Sequence, residues 1–225
     1  MKVKKLAQST LYVTNNSGNT LLIDPGKYNI ENNRVTLENF PTANAVIITH
    51  KHADHFDITI LRSIFKKSSP KIFTNKEIEA ILRKENISSN VLEPNNKIDA
   101  FGFNVITIKT DHIVNGEEVQ NFGLVVSADN SNFYNTSDTL FMEPSLLPEE
   151  THAKYLFVPI SNRGVTMGIN EAVNFANNLK PKLVIPVHYD SPKDVGINLQ
   201  EFVKKAEEKG LKVKIMSFGE EILLD

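Results

Sequence analysis

The chain has no cysteine among its 225 residues, so any metal it holds must be bound through nitrogen and oxygen. A disulfide framework is excluded with it, which fits a reducing compartment without requiring one. Long apolar runs are also missing. Met1-Lys2-Val3-Lys4-Lys5 is followed by Leu6-Ala7-Gln8-Ser9-Thr10, with no core long enough for a secretory signal or a membrane span, so a cytoplasmic protein is expected. Charge of one sign is scarce. With 25 Lys and Arg against 27 Asp and Glu, a formal charge of −2 and a pI near 6.3, the chain lacks the clustered basic surface of a nucleic-acid binder, and the pairs Lys66-Lys67 and Lys204-Lys205 are too short to supply one. No Gly/Pro/Ser-rich linker and no solenoid-period repeat divides it, so one domain over residues 1–225 is the simplest organisation. At 40% hydrophobic and 23% charged, the chain is large enough for one or two layers of sheet with helices outside.

Histidine is sparse as well, and most of it is spent at special positions. Of six histidines, three fall with an aspartate in Thr49-His50-Lys51-His52-Ala53-Asp54-His55, directly after the apolar run Ala45-Val46-Ile47-Ile48. An extended backbone throws alternate side chains to one face, so His50 and His52 can converge on one ion. Asp54 and His55 fall where the chain turns toward a helix and point apart from that pair. A second ion close by, and hence a dinuclear centre, follows. More donors stand at the ends of other strand-like runs: His112 after Phe103 to Ile108, Asp138 after Asn132 to Asn135, and His188 closing Leu183-Val184-Ile185-Pro186-Val187. Loops at strand ends are where layered α/β proteins collect ligands, because a rigid sheet holds them and leaves room for substrate. His152 belongs to no such pattern and reads as a surface residue.

The order H-x-H-x-D-H, then His, Asp and His resembles the metallo-β-lactamase superfamily over nearly the whole chain. Within it the chain looks like the small bacterial metal-dependent hydrolases and the related ascorbate-phosphate lactonase group. Further stretches carry that resemblance: Thr20-Leu21-Leu22-Ile23-Asp24-Pro25-Gly26, Val158-Pro159-Ile160 with Thr166-Met167-Gly168, and Val184-Ile185-Pro186-Val187-His188-Tyr189. One departure is Ser137, where the family commonly has glycine before the aspartate.

The resemblance implies that His50, His52 and His112 hold one metal, that Asp54, His55 and His188 hold another, and that Asp138 bridges them together with a hydroxide. Zinc is the first choice for the two divalent ions and manganese the second. Asp24, in the Asp-Pro-Gly turn that in the family lies under the metal loop, is expected to accept the outer N–H of a liganding imidazole. The implied activity is hydrolysis of a small ester, lactone or phosphodiester, with Asp54 also relaying the proton of the attacking water. Ser161-Asn162-Arg163-Gly164 should overhang the same edge, placing Asn162 and Arg163 as substrate contacts, with Arg163 able to clamp a phosphate or carboxylate. Tyr189 is a lesser candidate for donating to an oxyanion. The expected partner is a small-molecule substrate, with no nucleic acid and no membrane; a homo-oligomer is compatible with the chain.

Two other readings belong to the same resemblance. One is a di-iron redox enzyme, from a branch that usually has Glu where this chain has His52. The other is a non-catalytic, metal-stabilised binding module, although degenerate members usually lose ligands and here all seven positions are filled.

The coarse element pattern agrees with an α/β (α+β) fold. Strand-like runs fall near 11–14, 20–24, 45–49, 71–74, 103–109, 122–127, 132–135, 155–160, 183–187 and 211–216. Amphipathic helices are predicted over 58–67, 75–84, 170–179 and 199–209, with Asp57 as a candidate N-cap of the first. Two sheets packed face to face with helices outside would accommodate them, which is the four-layer αββα sandwich the resemblance implies.

Overall fold

The computed structural model describes residues 1–31, 34–190 and 196–225. Among them, the first sheet contains β1 (Lys2–Lys5), β2 (Leu11–Thr14), β3 (Thr20–Ile23), β4 (Ala45–Ile48), β5 (Lys71–Thr74) and β6 (Asn90–Val91), with β15 (Glu221–Leu223) on the edge beside β1. The second contains β7 (Lys97–Asp99), β8 (Asn104–Lys109), β11 (Phe122–Ala128), β12 (Ser131–Asn135), β13 (Tyr155–Pro159) and β14 (Leu183–Val187), in the order β14-β13-β12-β11-β8-β7. A small hairpin of β9 (Ile113–Val114) and β10 (Glu117–Glu118) stands apart.

Strand direction decides where the donors gather. β3, β4 and β5 are mutually parallel, and so are β12, β13 and β14. β8 is antiparallel to β11, which is antiparallel to β12, so β8 runs the same way as β12. The loops after β8, β12 and β14 therefore leave the second sheet at one end. β4 is buried at all four positions, which is why Ala45-Val46-Ile47-Ile48 reads as an unbroken apolar run rather than an alternating one.

Alternate residues of these strands enter different layers. Leu21, Ile23 and Ile47 face the second sheet, where Phe103, Leu124, Phe133 and Phe157 meet them. Leu22, Val46 and Ile48 face the other way, onto α1 (Ile58–Ser68) and α2 (Lys76–Lys84), through Ile60, Ile64, Ile78 and Leu82. On the far side, α3 (Ile169–Leu179) and α4 (Leu199–Glu208) cover the second sheet with Val173, Phe175, Phe202 and Ala206. Each buried Leu, Ile, Val or Phe among them contributes about 1.5–3 kcal/mol by leaving water. The result is the αββα sandwich.

The helices start where the caps require. Asp57 accepts from the Thr59 and Ile60 amides at the head of α1, Asn75 from Ile78 at α2, and Asn198 from Glu201 at α4. The run 211–216, expected as a strand, pairs only through one bridge, Val213 to Val184, after which Met216 enters the core between the sheets. Alternating Leu-Lys-Val-Lys imitates a strand, but the pairing ends before it repeats. Conversely, β1 is a strand made from Lys-Val-Lys-Lys, a run that reads as solvated charge until β2 and β15 pair with it. No helix among the described residues is long and apolar enough to cross a membrane.

Candidate metal centre

The loop after β4 is folded back on itself by the amides of His55 and Phe56, which both donate to the His52 carbonyl at 2.9 and 2.8 Å. That turn brings His55 to the same side as His50, their ring centroids 4.0 Å apart. Beneath it runs the Asp24-Pro25-Gly26 turn, held by Lys27 N–H donating to the Ala53 carbonyl at 2.7 Å. The contact is so close that a Cβ on Gly26 would stand 1.8 Å from the Asp54 carbonyl oxygen, so only glycine fits there.

Seven side chains converge in two overlapping groups. His50, His52, His112 and Asp138 form one, and Asp54, His55, His188 and Asp138 the other, with the donor atoms of each group within 4.8 Å of one another. In the first, His52 Nδ1 lies 3.0 Å from His50 Nε2 and 3.1 Å from His112 Nε2. In the second, His188 Nε2 lies 3.0 Å from Asp54 Oδ2 and 3.3 Å from Asp138 Oδ2, while His55 Nε2 is 3.2 Å from Asp138 Oδ1. Asp138 Oδ2 also stands 3.8 Å from His50 Nε2 and 4.0 Å from His112 Nε2. Asp138 is thus the one side chain common to both groups.

The outer faces of the rings are braced. Asp24, fully buried, takes His55 Nδ1 at 2.8 Å and the Thr49 amide and hydroxyl at 2.7 and 2.9 Å. The Thr49 hydroxyl in turn lies 3.1 Å from His50 Nδ1. One carboxylate therefore orients a histidine in each group, directly in one and through a threonine in the other. With Nδ1 carrying the proton, Nε2 of both rings presents its lone pair inward.

Protonation differs between the groups. Burial pushes His50 well below the usual imidazole range and His112 down to about 4, and lowers His52 as well, with neighbouring imidazoles adding to the effect. Burial also opposes charge on His55 and His188. There, however, the carboxylates outweigh it: Asp138, Asp24 and Asp54 around His55, and Asp138 and Asp54 around His188, hold both rings well above the usual range. In return those two rings overcome burial and hold Asp138 and Asp54 low. Burial raises Asp24 against the hydrogen bonds from His55 and Thr49.

These residues fit divalent metal ions. His55 Nε2 and Asp138 Oδ1 are buried 3.2 Å apart yet too poorly aligned for a good hydrogen bond, a costly arrangement for polar atoms in a protein interior. Three inward ring nitrogens stand 3.0 and 3.1 Å from one another, and neutral rings, which burial favours, can each turn a lone pair to one cation. A tetrahedral shell with bonds of about 2.0–2.1 Å has its donors roughly 3.3–3.4 Å apart, close to the separations here. The donor set is imidazole and carboxylate only, which suits Zn, Mn, Fe or Co. Strain points the same way. Asp24, Ser137 and His188 all have φ between +50° and +63°, a left-handed conformation that non-glycine residues adopt at a cost, and all three lie at this rim.

The remaining predicted residues are more dispersed. Asn162 and Arg163 are exposed on the loop after β13, and the Arg163 amide donates to Ser161 Oγ at 3.1 Å. Asn162 borders a cavity of about 500 Å3 with Ser161, Gly168, Glu171 and Asn198. The Tyr189 hydroxyl donates to the Met216 carbonyl at 2.6 Å, which gives its proton to a backbone acceptor. His152 is exposed, as its isolation in sequence predicts. Sequence reasoning missed Thr49, Asn121 and Asn75 as supports of the metal loops; Asn75 Nδ2 donates to the Thr49 carbonyl at 3.0 Å and Asn121 Nδ2 to that of Asp138 at 2.5 Å. It also missed Lys5, wholly buried, whose Nζ donates to Asp190 Oδ2 at 3.2 Å, two residues beyond His188. A lysine in a lysine run carries no signal of burial.

Known proteins place this arrangement. A family profile described as a β-lactamase superfamily domain matches residues 2–188. A UPF0173 metal-dependent hydrolase of Nanoarchaeum equitans is 32% identical, with 99% of each chain aligned. Among solved structures, Igni18, a metallo hydrolase from the hyperthermophilic archaeon Ignicoccus hospitalis, superposes with a TM-score of 0.83 at 26% identity, covering 98% of this chain and 97% of that one. An isothiocyanate hydrolase from Delia radicum gut bacteria shares the fold, with a TM-score of 0.77 at 20% identity over 100% of this chain and 99% of the other. The chain belongs to the metallo-β-lactamase superfamily, and within it to the UPF0173 metal-dependent hydrolases.

Proposed function

We propose that the protein is a dinuclear metal-dependent hydrolase, with zinc the first choice and manganese the second, acting on a small ester, lactone or phosphodiester. One observation carries this reading: Asp138 is common to two donor groups that otherwise share no residue. A carboxylate has two oxygens and one negative charge, so it can serve two cations held a few ångströms apart. The names of its relatives support the reaction class. Bound cations would acidify water and polarise the carbonyl or phosphoryl oxygen of the substrate.

The chain's own groups supply the rest. His50, His52 and His112 are ligands for one ion, and Asp54, His55 and His188 for the other, with His52 and Asp54 the two half-buried members that reach solvent. Asp54 is one of the more exposed of the seven, its side chain 17% accessible, and its Oδ2 faces His188. Its other oxygen takes the proton released by the attacking water and returns it to the leaving group. Asn162 and Arg163 hold the substrate from the neighbouring loop, Arg163 by pairing with an anionic group. Tyr189 packs beside the site, its ring 5.0 Å from Lys5 Nζ. The partner is a small molecule.

Metal analysis of the purified protein by plasma mass spectrometry, with turnover of bis-(p-nitrophenyl) phosphate and a lactone panel before and after chelation, tests the proposal. About two Zn or Mn per chain with chelator-sensitive turnover is the expected result. Iron without hydrolysis would move the assignment to a redox reaction. Asp54→Asn that kept both ions and full turnover would remove the proton relay, and an unchanged Michaelis constant for anionic substrates in Arg163→Ala would remove the clamp.

A further inference from the structure

Ser137 directly precedes Asp138 and is 1% exposed. Its φ of +55° lies where glycine is at ease and serine is not. Its hydroxyl oxygen stands 2.9 Å from Thr49 Oγ1 and 3.0 Å from Asn121 Oδ1. Both neighbours have their own protons committed elsewhere. The Thr49 hydroxyl donates to Asp24 Oδ2, since a carboxylate can only accept, and the Asn121 amide donates to the Asp138 carbonyl, which turns Asn121 Oδ1 toward Ser137 as an acceptor. With acceptors on both sides and one proton to give, the Ser137 hydroxyl donates to Thr49 Oγ1 or to Asn121 Oδ1, one at a time, and its donation to Thr49 is the contact that crosses to the His50 loop.

Those neighbours belong to opposite walls of the centre. Thr49 precedes His50 and braces its ring; Asn121 holds the main chain at Asp138. A glycine at 137 would suit the backbone better and would remove the donor that reaches Thr49 from the Asp138 loop. We propose that Ser137 is a positioning residue whose hydroxyl ties the loop of His50 to the loop of Asp138, and so sets the reach of the shared carboxylate across both metal sites. This rests on the dinuclear reading of the same site.

The test uses metal-free parent protein, Ser137→Ala and Ser137→Gly, each titrated with zinc against a chromophoric chelator and with cobalt(II) followed by its visible spectrum. Alanine keeps the strained backbone and loses the hydroxyl; glycine loses both. Ion affinity is expected to fall about tenfold in both variants, the low end of the range for partners that touch a ligand directly, with an altered cobalt spectrum. Metal-free Ser137→Gly is expected to melt no lower than the parent. Parent-like affinity and spectrum in Ser137→Gly would overturn the proposal. So would a loss of affinity matched by a loss of melting temperature, which would make Ser137 a support of the fold. A parent that takes up no pair of ions overturns the dinuclear reading and this inference with it; the parent titration therefore separates the two failures.

Discussion

His50, His52 and His112 are held below the usual imidazole range, while His55 and His188 are held well above it, although the rings of His50 and His55 are 4.0 Å apart between centroids. The side-chain type is the same in both groups and burial pushes all five rings the same way. What differs is the placement of carboxylates. Asp24 and Asp54 contact the second group, Asp138 lies closer to it, and the first group sees its nearest carboxylate oxygen at 3.8 Å. Without ions, the first pocket is a set of neutral rings and the second is a set of proton-holding pairs. Loading the first therefore displaces few protons, whereas loading the second must release them.

Removing the shared group should abolish the comparison altogether. Asp138→Ala deletes the only residue common to both pockets, so both ions and turnover are expected to be lost, turnover by more than the roughly 100-fold upper range typical of outer partners. Metal content and hydrolysis of bis-(p-nitrophenyl) phosphate measure it. Retention of two ions would mean the pockets are independent.

Acidification should separate the pockets. Ligating imidazoles must be neutral, and protons compete for His55 and His188 already above the ordinary value of 6.5, but for His112 only near 4. As pH falls, the ion of Asp54, His55 and His188 is expected to leave first, read as a drop from about two ions to about one per chain after dialysis at stepped pH. In metal-free protein the stability effects have opposite signs. Raised His55 and His188 stabilise the fold below pH 6.5, and that contribution is lost as pH rises through their folded values. Lowered His112 stabilises it above 6.5, and that contribution is lost as pH falls toward about 4.

Asp24→Asn reaches both pockets unequally. Asp24 contacts His55 directly and His50 only through Thr49, so the expected loss is roughly 10–100-fold for the second ion and less for the first. Stepwise zinc titration separates the two. Equal losses would show that Thr49 transmits the support in full.

The candidate ligands were legible because each donor is a rare residue at the end of an apolar run, where strand direction alone delivers it to the rim. Asp24 was legible through its Asp-Pro-Gly turn, and Gly26 shows why that turn must be glycine. Thr49, Asn121 and Asn75 were not, because a small polar residue that braces a metal loop looks in sequence like any turn residue; only the distance to His50 or Asp138 distinguishes it. The strands followed the same rule. β4 and β14 announce themselves by burial on both faces, whereas β1 exists because β2 and β15 pair with it, and 211–216 shows that alternation without a partner is not a strand.

The smallest expected effect concerns the segment that follows His188. Asp190 is pinned by Lys5 Nζ at 3.2 Å, Arg34 Nη1 at 2.9 Å and the Gln8 amide at 2.8 Å, whereas the first pocket is braced through hydroxyl and amide contacts. Lys5 is wholly buried, and burial lowers its proton affinity while Asp190 opposes the shift. Lys5→Met keeps much of its volume and leaves Asp190 with Arg34 and the Gln8 amide. Arg34 Nη1 at 2.9 Å and the Gln8 amide at 2.8 Å still meet the Asp190 charge in this variant. The second ion is expected to bind up to about tenfold more weakly, less than the range for partners that touch a ligand directly, with the first ion unaffected. A stepwise cobalt titration reads both. If the two ions weaken together, the pin supports the sheet edge as a whole, and the difference between the pockets lies in their carboxylates alone.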